Sequence, residues 1–87
     1  MKYNDGMLLW ISDPGHAWLR VPLLMVKGRG LGISSRSYIR GDHAYLEEDS
    51  DAGKFIKAQG VLETRGIEEK HYDKPCFIRG LARYKED

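Results

Sequence analysis

The chain has one cysteine, Cys76, three prolines, and no long apolar run among its 87 residues. A single thiol excludes an internal disulfide, and without a Cys pair there is no zinc-ribbon spacing either. The longest N-terminal apolar stretch, Met7 to Ile11, is too short for a signal-peptide core or a membrane span. A net charge of +1 provides no global attraction to nucleic acid or to an anionic membrane. No motif in the chain marks a metal site, a cofactor site or a catalytic nucleophile. The expectation is a cytosolic protein, not membrane-bound, with no metal or cofactor and no enzymatic activity.

What is present is ordinary globular composition, 41% apolar and 31% charged, which is too hydrophobic for a disordered chain. The length suits one domain over 1–87, with flexible ends at 1–5 and 80–87. At this size about 60 to 65% of the unfolded surface is buried on folding. Charge is uneven along the chain: residues 1–40 carry six basic groups against two acidic, and residues 41–87 carry eight against eleven.

Two hairpins are legible. Met7–Ile11 and Ala17–Val21 flank Asp13-Pro14-Gly15. In this turn Asp bonds the backbone two residues on, Pro fixes φ, and Gly tolerates positive φ. A loop over 13–16 pairs Ile11 with Trp18 and Trp10 with Leu19, placing Leu8, Trp10, Leu19 and Val21 on the buried face. Trp18 and Arg20 fall on the opposite face, where Trp18 is either covered by another loop or serves as a partner anchor. The second hairpin spans Ser37 to Glu48, with Gly41 first in a two-residue turn. Arg40 then pairs His43, Ile39 pairs Ala44 and Tyr38 pairs Tyr45. Ile39, Ala44 and Leu46 face the core, while Tyr38, Arg40, His43 and Tyr45 share the other face.

Pro22 ends the first hairpin and starts a short helix over about 22–28. Gly28-Arg29-Gly30-Leu31-Gly32 follows as a loop, flanked by Lys27, with glycine as the helix cap. Asp49, Ser50 and Asp51 supply caps and negative charge to a main helix over about 50–65. Its stripe is Ala52, Phe55, Ile56, Gln59 and Leu62, and a close packing contact is one reason for Gly53 or Gly60. Residues 67–72 form a strand, and Cys76–Arg79 form a last extended piece. The fold expected is α+β: two β-hairpins and a C-terminal strand in a small, mainly antiparallel sheet packed by one main and one short helix.

Candidate chemistry is sparse. His16, His43 and His71 lack the helical spacing of a metal pair. Glu47-Glu48-Asp49 puts neighbouring carboxylates on opposite strand faces, and Cys76 after Pro75 reads as a buried thiol rather than a nucleophile. The surface residues with binding character are Tyr38, Arg40, His43 and Tyr45, joined by Trp18 and by the cations Lys27, Arg29 and Arg36.

At Gly15-His16-Ala17-Trp18-Leu19-Arg20-Val21-Pro22, at Ser37 through Asp49, and on through Asp51–Ile56 into Arg65-Gly66-Ile67, the chain resembles a group of small uncharacterised accessory proteins of tailed phages. It departs from them in the glycine-rich segment 27–32 and at Cys76. The resemblance implies a phage origin and action in the host cytosol as a stoichiometric inhibitor of a host component, including a defence component. Two alternatives stand beside a host-protein partner. One is capture of a small anionic signalling nucleotide at the interface of a homo-oligomer, and the other, less favoured, is nucleic-acid binding through Lys27, Arg29, Arg36 and Arg40.

Overall fold

The computed structural model describes residues 8–28, 30, 32–59 and 67–85. Strand β1 (Leu9–Ser12) turns through Asp13–His16 into β2 (Ala17–Pro22), which runs directly into helix α1 (Leu23–Gly28). Strands β3 (Tyr38–Arg40) and β4 (His43–Glu47) form the second hairpin, followed by helix α2 (Asp51–Gln59), β5 (Glu68–His71), a 3₁₀ turn (Phe77–Gly80) and β6 (Ala82–Arg83). The six strands make one mixed, largely antiparallel sheet in the order β5-β1-β2-β4-β3-β6. Together with the two helices this is an α+β fold.

Both hairpin registers follow from local turn chemistry. Ile11 pairs Trp18 and Trp10 pairs Leu19, while Tyr38 pairs Tyr45 and Arg40 pairs His43. Gly41 sits at φ +58°, the left-handed conformation that a two-residue hairpin turn requires at its first central position. The hairpins join through β2 and β4, with Leu19 opposite Leu46 and Val21 opposite Ala44.

Alternation then sorts the side chains. Leu8, Leu19, Val21, Ala44 and Leu46 pack with Val26 of α1 and with Ala52 and Phe55 of α2. Each Leu, Val or Phe side chain among them that is fully removed from water contributes about 1.5–3 kcal/mol. The other face is covered as well. Ile11, Trp18, Tyr38 and Tyr45 pack under Cys76 and Ile78 from the C-terminal segment.

Several local expectations change. Pro22 is the last residue of β2, opposite His43, and α1 begins at Leu23, whose N–H donates to Asp42 O at 2.7 Å. The αL glycine after α1 is Gly30, φ +64°, whose N–H closes a turn onto Lys27 O. Strand β5 runs parallel to β1, with Trp10 opposite Glu69. Of Cys76–Arg79 only Cys76 is extended, and the rest enters the 3₁₀ turn at Phe77–Gly80, which buries Ile78 completely. Beyond it, β6 pairs with β3. Gly53 has nothing within 4 Å of where a Cβ would stand, so no close contact requires it. Gly60, Leu62 and the stretch 60–66 expected to finish the main helix lie outside the described residues. Among the described residues no helix is long and apolar enough to cross a membrane.

Candidate functional site

The turn between β1 and β2 organises the site. Asp13, with its side chain fully buried, accepts hydrogen bonds from the Gly15 and His16 N–H groups at 3.0 Å each. It also accepts from the Cys76 N–H at 3.0 Å and from Arg79 Nε and Nη2 at 2.7 and 2.9 Å. The Arg79 guanidinium is the main reason the carboxyl is held far below its ordinary range. Burial opposes this, and the three backbone donors reinforce it. The same contacts fold residues 76–80 back over the sheet. A Cβ on Gly15 would meet Arg79 Nη2 at 2.9 Å, so glycine there makes room for the ion pair.

Arg79 lies with its guanidinium 5.7 Å from the Trp18 ring centre. Arg83 does the same over Tyr38 at 4.7 Å and donates to Ser35 O at 3.2 Å. These two arginines, Arg36, His16, Glu47, Asp49 and the edges of Trp18 and Tyr38 enclose an open cleft of about 320 Å³. Arg83 ends β6 and Arg36 lies just before β3, while Glu47 ends β4, Asp49 follows it and His16 precedes β2. Glu47 is occupied: Oε1 accepts from the Asp49 N–H and Ser50 Oγ, and Oε2 lies 4.0 Å from His16 Nδ1. Among the described residues, no carboxylate lies within 4.0 Å of Arg36 or Arg83, and no cation lies within 4.0 Å of Asp49.

A second polar anchor holds the cleft's rim. Asp51, also fully buried, accepts from the Ser34 N–H and Oγ and from Ser37 Oγ. Ser37 Oγ in turn accepts the Glu47 N–H at 3.0 Å. Burial raises the Asp51 pKa, but the hydroxyls of Ser37 and Ser34, the Ser34 N–H and Lys54 together hold it below its usual value. The carboxylate at the start of α2 thus reaches back to the loop before β3, while Ser50 Oγ donates to Glu47.

The residues singled out for binding, of which Tyr38, Arg40, His43 and Tyr45 are expected to share one face, are dispersed. Trp18 and Tyr38 line the cleft but are only 2% and 8% exposed. Tyr45 is buried edge-on beneath Phe77 at 5.9 Å, and Arg40 lies over the outer side of Phe77 at the same distance. His43 is half-buried opposite Pro22. Arg36 joins the cleft, Lys27 is exposed at the end of α1 on the helical side, and Arg29 lies outside the described residues. The aromatic rings are therefore not the open platform that strand alternation alone suggests, because the C-terminal segment covers them.

Five of the cleft residues escape sequence reasoning as binding groups: His16, Glu47, Asp49, Arg79 and Arg83. Glu47 carries a signal, since it shares the strand parity of His43 and Tyr45. Arg79, Arg83, Asp49 and His16 have none, because a 3₁₀ turn, the two-residue strand β6 and two loops set their directions.

Other groups are less suited to chemistry. Ser12 Oγ is 2.8 Å from His71 Nδ1, and His71 Nε2 is 3.7 Å from Asp73 Oδ1. Asp73 is 98% exposed, and a carboxylate in water holds an imidazole too weakly to orient it for proton transfer. The contact ties β1 to β5. Burial pushes the Cys76 thiol up, which disfavours the reactive thiolate. Among the described residues no group of three or more His, Cys, Asp or Glu is placed to hold a metal ion. No protein-family model, no curated protein and no solved structure matches this chain.

Proposed function

We propose that the chain is a non-enzymatic binding protein of a phage accessory type, which acts on its host by stoichiometric capture of a small anionic ligand in the cleft. One observation carries this reading: among the described residues Arg36 and Arg83 stand without a carboxylate partner within 4.0 Å, beside Arg79, in a cleft built within a single chain. Guanidinium groups bind phosphate and carboxylate oxygens through paired N–H donors. A volume of about 320 Å³ falls at the small end of ligand pockets, roughly 300–1,000 Å³. Calorimetric titration of the full chain with a panel of phosphates and mononucleotides tests the reading. One ligand per chain, recovered with an unchanged ³¹P spectrum, is the expected result. Multiple turnover would make the protein an enzyme, and flat traces for the whole panel would remove anion capture.

Inhibition of a host protein is the second reading, and Phe77 favours it. This ring is 41% exposed and is flanked by Arg40, Tyr45 and Tyr72, the residue types of an interface anchor. A photo-crosslinker at position 77 labels a discrete host protein on this reading, and one at position 57 on α2 does not.

A further inference from the structure

Resting on the reading that the cleft captures a small anion, we infer that its ligand is a guanine nucleoside monophosphate, with the phosphate on Arg36 and Arg83 and the base edge on Asp49. The cleft is balanced in charge. Arg79 is neutralised by Asp13, and Glu47 and Asp49 oppose Arg36 and Arg83. A simple phosphate trap has no use for the two carboxylates. Arg36 and Arg83 lie by β3 and β6 and Asp49 lies after β4, and among the described residues no ion pair within 4.0 Å joins them. A ligand that is anionic at one end and donates hydrogen bonds at the other satisfies both sets together.

Arg79 and Arg83 narrow the choice to a planar ligand. Their guanidinium groups rest on the Trp18 and Tyr38 rings at 5.7 and 4.7 Å. The rings are thereby covered, and the planar guanidinium groups of Arg79 and Arg83 line the cleft. A nucleobase stacks on such a plane as it does on an aromatic ring. Both planes are held before any ligand arrives, Arg79 by two bonds to Asp13 and Arg83 by Ser35 O. Arg79 Nη1 is not engaged by Asp13 and carries two further N–H donors. Among the bases, guanine alone offers adjacent N1–H and N2–H donors to one carboxylate. Asp49, with its side chain unpaired, is the acceptor available, since both oxygens of Glu47 are directed at Ser50, the Asp49 N–H and His16.

Calorimetry on the full chain at low salt separates the parts. GMP is expected to bind one per chain. Inosine monophosphate, which lacks the N2 amino group, is expected to bind about tenfold more weakly, as is guanosine without its phosphate. Asp49→Asn lowers GMP affinity at least tenfold and inosine monophosphate affinity, which rests on N1–H alone, by a smaller factor, whereas Arg36→Ala weakens both alike. Both substitutions are at exposed positions, and unchanged melting curves confirm that the variants fold. Equal binding of GMP and inosine monophosphate with no effect of Asp49→Asn would overturn the base assignment and leave anion capture standing. Silence towards GMP with binding of inorganic pyrophosphate, or displacement of GMP by a poly-glutamate peptide at lower concentration, would overturn it too.

Discussion

Asp13 and Arg79, 66 residues apart in sequence, form a two-bond ion pair with Nε and Nη2 at 2.7 and 2.9 Å from the carboxylate oxygens. This pair closes the C-terminal segment over the sheet and fixes one wall of the cleft. Asp13→Ala strands the buried Cys76 N–H as well as the guanidinium, and is expected to cost about 3 kcal/mol. Arg79 is partly exposed, so Arg79→Ala costs less. Urea midpoints of the two variants check the order.

Acid should weaken the fold through two carboxyls. Asp13 and Asp51 are both held below the ordinary aspartate range when folded. Between the folded and unfolded values the unfolded chain binds more protons, so stability rises with pH there. The contribution is complete above the unfolded value and is lost as pH falls below it. Urea unfolding at pH 6 and pH 3 is expected to show a clear loss in the wild type and a smaller one in Asp13→Asn.

Ser37 joins two elements through one hydroxyl, which donates to Asp51 and accepts from the Glu47 N–H. Its removal leaves a buried N–H without a partner, costing about 1–3 kcal/mol. Ser37→Ala and Asp51→Asn share that network, so their effects are expected to fall short of additive in a double-mutant cycle.

Two glycines should respond in opposite directions. Gly41 at φ +58° resists a side chain whatever the space, and Gly41→Ala is expected to cost about 1–2 kcal/mol. Gly53 lies exposed inside α2 with open space around it, so Gly53→Ala should stabilise by about 0.5–1 kcal/mol. Thermal melting of the two variants reads both signs.

A core truncation calibrates these values. Phe55 is 1% exposed between α2 and the sheet, and Phe55→Ala is expected to cost about 3–5 kcal/mol. A loss below about 1 kcal/mol in chemical denaturation would mean that α2 is not packed as described.

Much of the architecture is legible residue by residue. Asp13-Pro14-Gly15 and Gly41-Asp42 set loop lengths, and period-two alternation then fixes which side chains share a face. Trp10, Leu19, Val21, Ala44 and Leu46 all lie on the face assigned to them. The candidate site is less legible. Trp18, Tyr38 and Arg36 are readable as binding residues, but Tyr45 has the same parity as Tyr38 and lies under Phe77. Alternation reports a face and not what covers it.

The two hairpins, their registers and the start of α2 are local outcomes, because turn residues and side-chain periodicity act over a few neighbouring positions. The pairing of β2 with β4, the parallel run of β5 along β1, the cover that residues 76–81 give the second face and the convergence of Arg36, Arg79 and Arg83 arise in the folded chain alone. Those outcomes rest on contacts such as Asp13 to Arg79, whose partners lie far apart in the chain. A carboxylate and a guanidinium so separated leave no local pattern to read.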